Sequence, residues 1–304
     1  MSEWFTLSVG VEDALGSSRP VVALESTVVT HGLPHPQGVE TAAELEAVVR
    51  EHGAVPATIA VLDGRAKVGV SMDELERLAG SGAVKLNLAN LAPALAAGTA
   101  GSTTVAATMA LAHRAGIRVF ATGGIGGVHR GAADTGDVSS DLTALARIPV
   151  AVVCAGAKAI LDLPGTIERL ETLGVPVLGY GTDEFPAFYR RSSTLPVDAR
   201  FDTASALARA IGVHWEIGDS IGGCTGVIVA NPIPAEAEMP RELYQQALEA
   251  AEAAVGRRDT RGRDVTPVLL SELAEATGGH SVASNRALLA NNARLAAELA
   301  RAFI

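Results

Sequence analysis

VFATGGIGGVHRGAADTGDVSSDLTALARIPVAVVCAGAK, running from Val119 to Lys158, is the stretch on which the reading of this chain turns. Val119 to Ala121 is a short β-type run that breaks into Gly123, Gly124, Gly126 and Gly127. Glycines at that density let the backbone turn and carry bare N–H groups close to a ligand. A second apolar run, Val150 to Val153, ends in small residues and delivers Lys158. Between the two runs lie His129, Arg130, Asp134, Asp137, Ser139, Ser140 and Asp141. Polar groups hung between two apolar strands predict a site at the strand ends of an α/β sheet. The glycine run has neither the dinucleotide-fingerprint spacing nor that of a P-loop. DVSSDL also reads as a helix start, with Ser139 or Ser140 as N-cap, and that is compatible with an anion site.

Outward from this stretch, short strands alternate with helices. Strands are expected at Val21–Leu24, Ala57–Leu62, Lys67–Val70 and Val84–Leu86, then at Val177–Gly179 and Gly226–Ala230. Asp63-Gly64 predicts a hairpin, and Ser71 to Glu74 a capping box. Helices are expected at Val39–His52, Ser102–Ala115 (ended by Gly116) and Phe201–Ile211. Another is broken by Pro164 and resumes to Leu173, and the C-terminal quarter is helical: Pro240–Val255, Pro267–Ala276 and Ser284–Ala302. GYGTDEFPAFYRRSS, with Phe185, Phe188 and Tyr189, is expected to pack over the site. The sum is an α/β protein, a three-layer α/β/α arrangement around a mixed, mostly parallel sheet, in a single domain over 1–304.

The composition bounds the partners. A formal charge of −10 argues against a nucleic-acid backbone. Two cysteines are too few for a disulfide framework and suit a reducing cytoplasm. No apolar run approaches the roughly 20 residues of a membrane span, and acidic Glu3, Glu12 and Asp13 do not fit a signal peptide.

Three ionisable groups stand in apolar sequence: Glu25, Lys85 and Lys158. Desolvation raises a carboxyl toward general-acid use, and it favours a neutral amine, which is a nucleophile. Glu25 with Lys158 points to imine chemistry at a sugar or keto carbon, with Lys85 and Arg130 available to a phosphate. Asp137 and Asp141 offer hard oxygen ligands to Mg²⁺ or Mn²⁺. The residues alone lead to a lyase or aldolase-like enzyme on a phosphorylated sugar.

The blocks ALESTVVTHGLPHPQGVETA, GAVPATIAVLDGRAKVGV, TTVAATM, VFATGGIGGVHRGA, DVSSDL, VVCAGAK, LGVPVLGY, VIVANPIP and SNRALLANNA, in this order from Ala23 to Ala293, resemble the pseudouridine-5′-phosphate glycosidases. The resemblance implies an α/β/α homotrimer that uses a divalent metal, usually Mn²⁺ with Mg²⁺ as the alternative. It implies reversible cleavage of a C–C glycosidic bond to give uracil and ribose 5-phosphate. Lys158 matches the family's Schiff-base lysine, Glu25 its proton donor and Asp137 its metal-binding aspartate. Ser139, Ser140 and Asp141 match the substrate-binding triplet, and Lys85, Val105, Thr122, His129 and Asn285 match positions lining the substrate. The run after Lys85 departs from the family pattern: Leu86-Asn87-Leu88-Ala89-Asn90 stands where a Ser-Arg-Arg-Asp type run is usual. Stripped polar groups there would suit a larger, flatter aglycone. A second expectation is therefore a C-glycosynthase that joins ribose 5-phosphate to an aromatic, polyketide-type product. A catalytically silent sugar-phosphate sensor is disfavoured by the survival of Glu25, Asp137 and Lys158.

Overall fold

The computed structural model describes residues 3–33, 35–258 and 265–304. Its strands are β1 (Phe5–Leu7), β2 (Val21–Leu24), β3 (Val55–Leu62), β4 (Arg65–Val68), β5 (Val84–Leu86), β6 (Gly101–Thr103), β7 (Val119–Ala121), β8 (Val128–His129), β9 (Ala151–Cys154), β10 (Leu161–Asp162), β11 (Val177–Tyr180), β12 (Ala199–Phe201) and β13 (Val227–Ala230). Eleven of them form one sheet, ordered β1-β4-β3-β2-β7-β9-β13-β11-β12, with β6 pairing β3 and β5. Every pairing in that sheet is parallel except β3 with β4 and β3 with β6. β8 and β10 pair antiparallel as a separate ribbon.

The central strands β2, β7, β9 and β13 are buried along their whole length. Strands covered on both faces carry unbroken apolar runs with no polar alternation, and here they read VVAL, VFA, AVVC and VIVA. One cover is the helix His280–Ala302, lying across β2, β7 and β9 and against the helices Gln37–Glu51 and Ala204–Ser220. Another is the helix Val105–Ala115, packed on β2, β3, β6 and β7 and against Ser140–Leu145. The expected mixed, mostly parallel sheet between helices is what the chain forms.

Local signals held where backbone chemistry dictates them. Asp63 and Gly64 both have positive φ, 54° and 71°, and Leu62 pairs with Arg65 across the two-residue turn. Ser71 and Glu74 make the reciprocal capping box. Gly116, at φ 89°, ends its helix.

Other boundaries moved. Residues 101–103 are strand β6, because Thr104 caps the next helix through Ala107 N and the three residues before it are free to pair with β3 and β5. Pro164 does not break a helix. Asp162 caps through Gly165 N and Pro164 occupies the first turn of the helix Leu163–Thr172, where its missing N–H costs nothing. Ala199–Phe201 is strand β12, and the helix that Thr203 caps runs on to Ser220. The sheet-edge strand β1 and the helix Val9–Gly16 were not expected. Among the described residues no helix is long and apolar enough to cross a membrane.

Candidate active site

From β2 the chain crosses to β3 on one side, and from β7 it crosses to β9 on the other. The carboxyl ends of β2 and β7 therefore flank a switch point, the place where parallel sheets open a crevice. Leu24 pairs with Ala121, so Glu25 and Thr122 emerge side by side. The Glu25 carboxylate accepts hydroxyl hydrogen bonds from Thr27 and Thr122. Burial raises the Glu25 carboxyl above its ordinary range. The Lys158 charge and the Thr122 hydroxyl pull it down, Asp141 pushes it up and Lys85 pulls it down slightly.

The loops after β7 and β9 zip together beyond the sheet. Ile125 N donates to Gly156 O at 3.1 Å, and Lys158 N donates to Ile125 O at 3.0 Å. This fixes the backbone that carries Lys158, whose neighbours Ala157, Ala159 and Ile160 are buried. The lysine side chain lines two lobes of one cleft, and Lys85, from edge strand β5, lines both with it. One lobe holds Glu25, Val28, His31, Phe188, Asn285 and Leu289. The other holds Asn87, His129, Asp137, Ser139, Ser140 and Asp141. A glycine is required at 124, where a Cβ would stand 2.7 Å from the Phe188 ring.

In the polar lobe the two aspartates have different tasks. Asp141 is buried, and its oxygens accept from Ala106 N at 3.0 Å and Gly126 N at 2.8 Å. It clasps the start of the helix Val105–Ala115 to the glycine loop, and of the expected pair of oxygen ligands Asp137 is the one that binds no backbone N–H here. Gly126 must lack a side chain because Ser139 and Asp141 occupy that space. Ser139 caps the helix Ser140–Leu145 through Asp141 N, as the sequence indicated. Asp137 remains part-exposed, with His129 Nδ1 4.0 Å away. Burial pushes the His129 imidazole below its ordinary range, Asp137 raises it, and Lys158 and Lys85 lower it further. No group of three or more His, Cys, Asp or Glu among the described residues is arranged to hold a metal. One open carboxylate in a roomy polar lobe fits a hydrated hard cation that keeps most of its waters, and does not fit a protein cage.

Of the other expected residues, Thr122 lies buried behind the cleft and acts on it through Glu25. Val105 is buried in the first turn of its helix and lines neither lobe. The run after Lys85 divides. Asn87 faces the polar lobe, and Asn90 Nδ2 donates to Lys85 O at 3.0 Å. Leu88 turns away into an apolar surface groove with Trp4, Leu91 and Arg114. The departure in this run thus touches the polar lobe and not the one containing Phe188.

The model of the family described as indigoidine synthase A like protein matches residues 10–302. The chain belongs to this family. A pseudouridine-5′-phosphate glycosidase of Methylobacterium nodulans is 56% identical over 95% of this chain and 85% of that protein. One of Solibacter usitatus is 54% identical over 95% and 96%. The solved prealnumycin C-glycosynthase AlnA, in complex with ribulose 5-phosphate, superposes with a TM-score of 0.90 at 40% identity, covering 100% of this chain and 98% of its own.

Sequence reading had missed several residues of this indigoidine synthase A-like site. His31 faces the lobe beside Glu25, its Nδ1 2.5 Å from Thr30 Oγ1 and 3.2 Å from Ser102 Oγ. Its signal was only its place in a loop dense in His, Pro and Gly. Leu289 and the buried Asn292 follow Asn285 at four and seven residues along one helix, a spacing that sets all three on one face. Phe188 carries out the expectation that the aromatic segment packs over the cleft, whereas Phe185 and Tyr189 anchor that segment in the core.

Proposed function

We propose that this chain is a pseudouridine-5′-phosphate glycosidase, which cleaves pseudouridine 5′-phosphate with water to uracil and ribose 5-phosphate. The observation that carries the reading is the junction at Lys158, a residue that lines both lobes within electrostatic reach of the raised Glu25 carboxyl. The identities of 56% and 54% to glycosidases, against 40% to the C-glycosynthase, support it.

A C–C glycosidic bond gains nothing from protonating a glycosidic oxygen, the usual glycosidase device. In this reading the Lys158 nitrogen, after losing its proton to water, forms a bond to C1′ as the C1′–O4′ bond breaks, and Glu25 gives its proton to O4′. The Glu25 carboxylate then takes a proton from the attached nitrogen, whose lone pair closes the C=N bond while the C1′–ring bond breaks. Its electron pair goes to the ring carbon, which takes that proton from Glu25, and water hydrolyses the imine to free Lys158 and ribose 5-phosphate. The polar lobe, with Ser139, Ser140 and His129, takes the sugar phosphate, and the lobe with Phe188 and Leu289 takes the flat ring. A divalent ion, Mn²⁺ or Mg²⁺, would be held at Asp137 through water and would supply charge to the substrate phosphate. A homotrimeric, cytoplasmic enzyme completes the proposal, on the strength of the family resemblance.

A second reading, C-ribosylation of an aromatic acceptor by the same imine, is favoured by the close superposition on the solved C-glycosynthase. One assay separates them: kcat/KM for pseudouridine 5′-phosphate cleavage, beside ribosylation of planar aromatic acceptors. Cleavage at about 10⁴ M⁻¹s⁻¹ or above, in the ordinary enzymatic range, supports the glycosidase. Cleavage far below that, with efficient ribosylation, would overturn it.

A further inference from the structure

The buried helix His280–Ala302 reaches the cleft by a route that none of the cleft-lining residues reveals. Asn292 is fully buried on that helix, away from either lobe. Its Oδ1 accepts from Asn231 Nδ2 at 2.9 Å, and its Nδ2 donates to Thr122 O at 2.8 Å. Asn231 follows β13 and its N donates to Cys154 O at 2.9 Å. Thr122 follows β7 and its N donates to Val153 O at 3.0 Å. One side-chain amide thus ties together the carboxyl ends of β13 and β7, with β9 bonded to both. The Thr122 hydroxyl at the near end of this chain donates to the Glu25 carboxylate.

We propose that Asn292 is a positioning residue for the reaction: it fixes the Thr122 peptide so that the Thr122 hydroxyl aims the Glu25 carboxyl into the cleft. The proposal rests on the reading of Glu25 as proton donor. The position asks for a donor toward Thr122 O and an acceptor toward Asn231 Nδ2 at once, in a place water does not reach. An amide supplies both from one side chain. An aspartate there would set an acceptor against the Thr122 carbonyl, and a leucine of similar size would leave two buried polar groups unpaired. Other groups acting on Glu25 are Thr27, Lys158, Lys85 and Asp141, and none of them holds Thr122 in place.

The test compares wild type, Asn292→Ala, Thr122→Val, the double variant and Glu25→Gln. It reads kcat, KM and the pH–rate profile with pseudouridine 5′-phosphate, ribose 5-phosphate binding by calorimetry, and thermal unfolding. A misplaced catalytic group costs up to about 10²-fold in rate. The proposal expects Asn292→Ala to lose kcat on that order while binding ribose 5-phosphate as wild type does. Its alkaline limb should move to higher pH, since a weakened Thr122 hydrogen bond lets the Glu25 carboxyl rise. Thr122→Val should behave alike, and the double variant should be no slower than the slower single one, because both changes cut the same chain. Should Asn292→Ala not fold, Asn231→Ala, which removes the amide's anchor and leaves the Thr122 bond, must show a smaller change in the same direction. An unmoved pH profile, or fully additive losses, overturns the proposal. If Glu25→Gln turns over like wild type, the role of Glu25 fails first. If Glu25→Gln is inactive and Asn292→Ala keeps wild-type kcat, the positioning role alone fails.

Discussion

The Thr122 hydroxyl donates to the Glu25 carboxylate across the seam between β2 and β7, ninety-seven residues apart in the chain. The pairing of Leu24 with Ala121 puts them there, so the sheet register sets the geometry of this pair. Next to this pair, Lys158 offers the positive charge that keeps a buried carboxyl from being merely costly.

Glu25→Gln should abolish turnover while raising stability. The folded carboxyl is held above its ordinary value of 4.5. As pH rises past that value the unfolded chain ionises first, so wild type loses stability until its raised folded value is passed. Glutamine has nothing to ionise. Thermal unfolding should therefore show the variant above wild type at pH 7 to 8, with the gap closing toward pH 4.5, and kcat should fall by about 10²–10⁴-fold, the worth of a general acid. A variant less stable than wild type at pH 8 would contradict this.

Asp137→Ala should lose activity that excess Mn²⁺ does not restore, with its unfolding temperature unchanged because that carboxylate is part-exposed and braces no backbone amide. Full activity of chelator-treated wild type would leave Asp137 a turn residue only.

Asp141→Asn should behave in the opposite way. One amide N–H, of Ala106 or Gly126, then faces an NH₂ group in place of an oxygen. Leaving a buried donor unmatched costs about 1–3 kcal/mol. Urea unfolding should show that loss, with added metal having no effect on it. Unaltered stability would mean that Asp141 does not clasp the loop.

The fold was legible wherever short-range chemistry fixes it. Asp63-Gly64 has the backbone a two-residue hairpin needs, and Ser71 with Glu74 satisfies its own helix start. The expected helices began at Ser102 and Phe201, inside β6 and β12, because each strand lies directly before a capped helix and takes strand geometry only by pairing with distant strands. Pro164 misled because proline interrupts a helix interior and favours its first turn, and only the Asp162 cap decides between them. In the site, Glu25, Lys85 and Lys158 could be read because charge in apolar sequence is conspicuous. Asn292 could not, because a buried amide looks like any polar helix residue until its partners at 122 and 231 are brought to it. The different settings of Asp137 and Asp141 were hidden for a related reason. Sequence shows two carboxylates four residues apart but not the backbone amides that bind one of them.

The imine at Lys158 is the centre of this account, and borohydride reduction in the presence of ribose 5-phosphate, followed by peptide mapping, tests it most directly. The predicted result is a single stable pentitol-phosphate adduct on Lys158, absent from Lys158→Ala, whose unfolding temperature stays near that of wild type. An adduct on Lys85 instead, or none with an enzyme that turns over, would contradict the account.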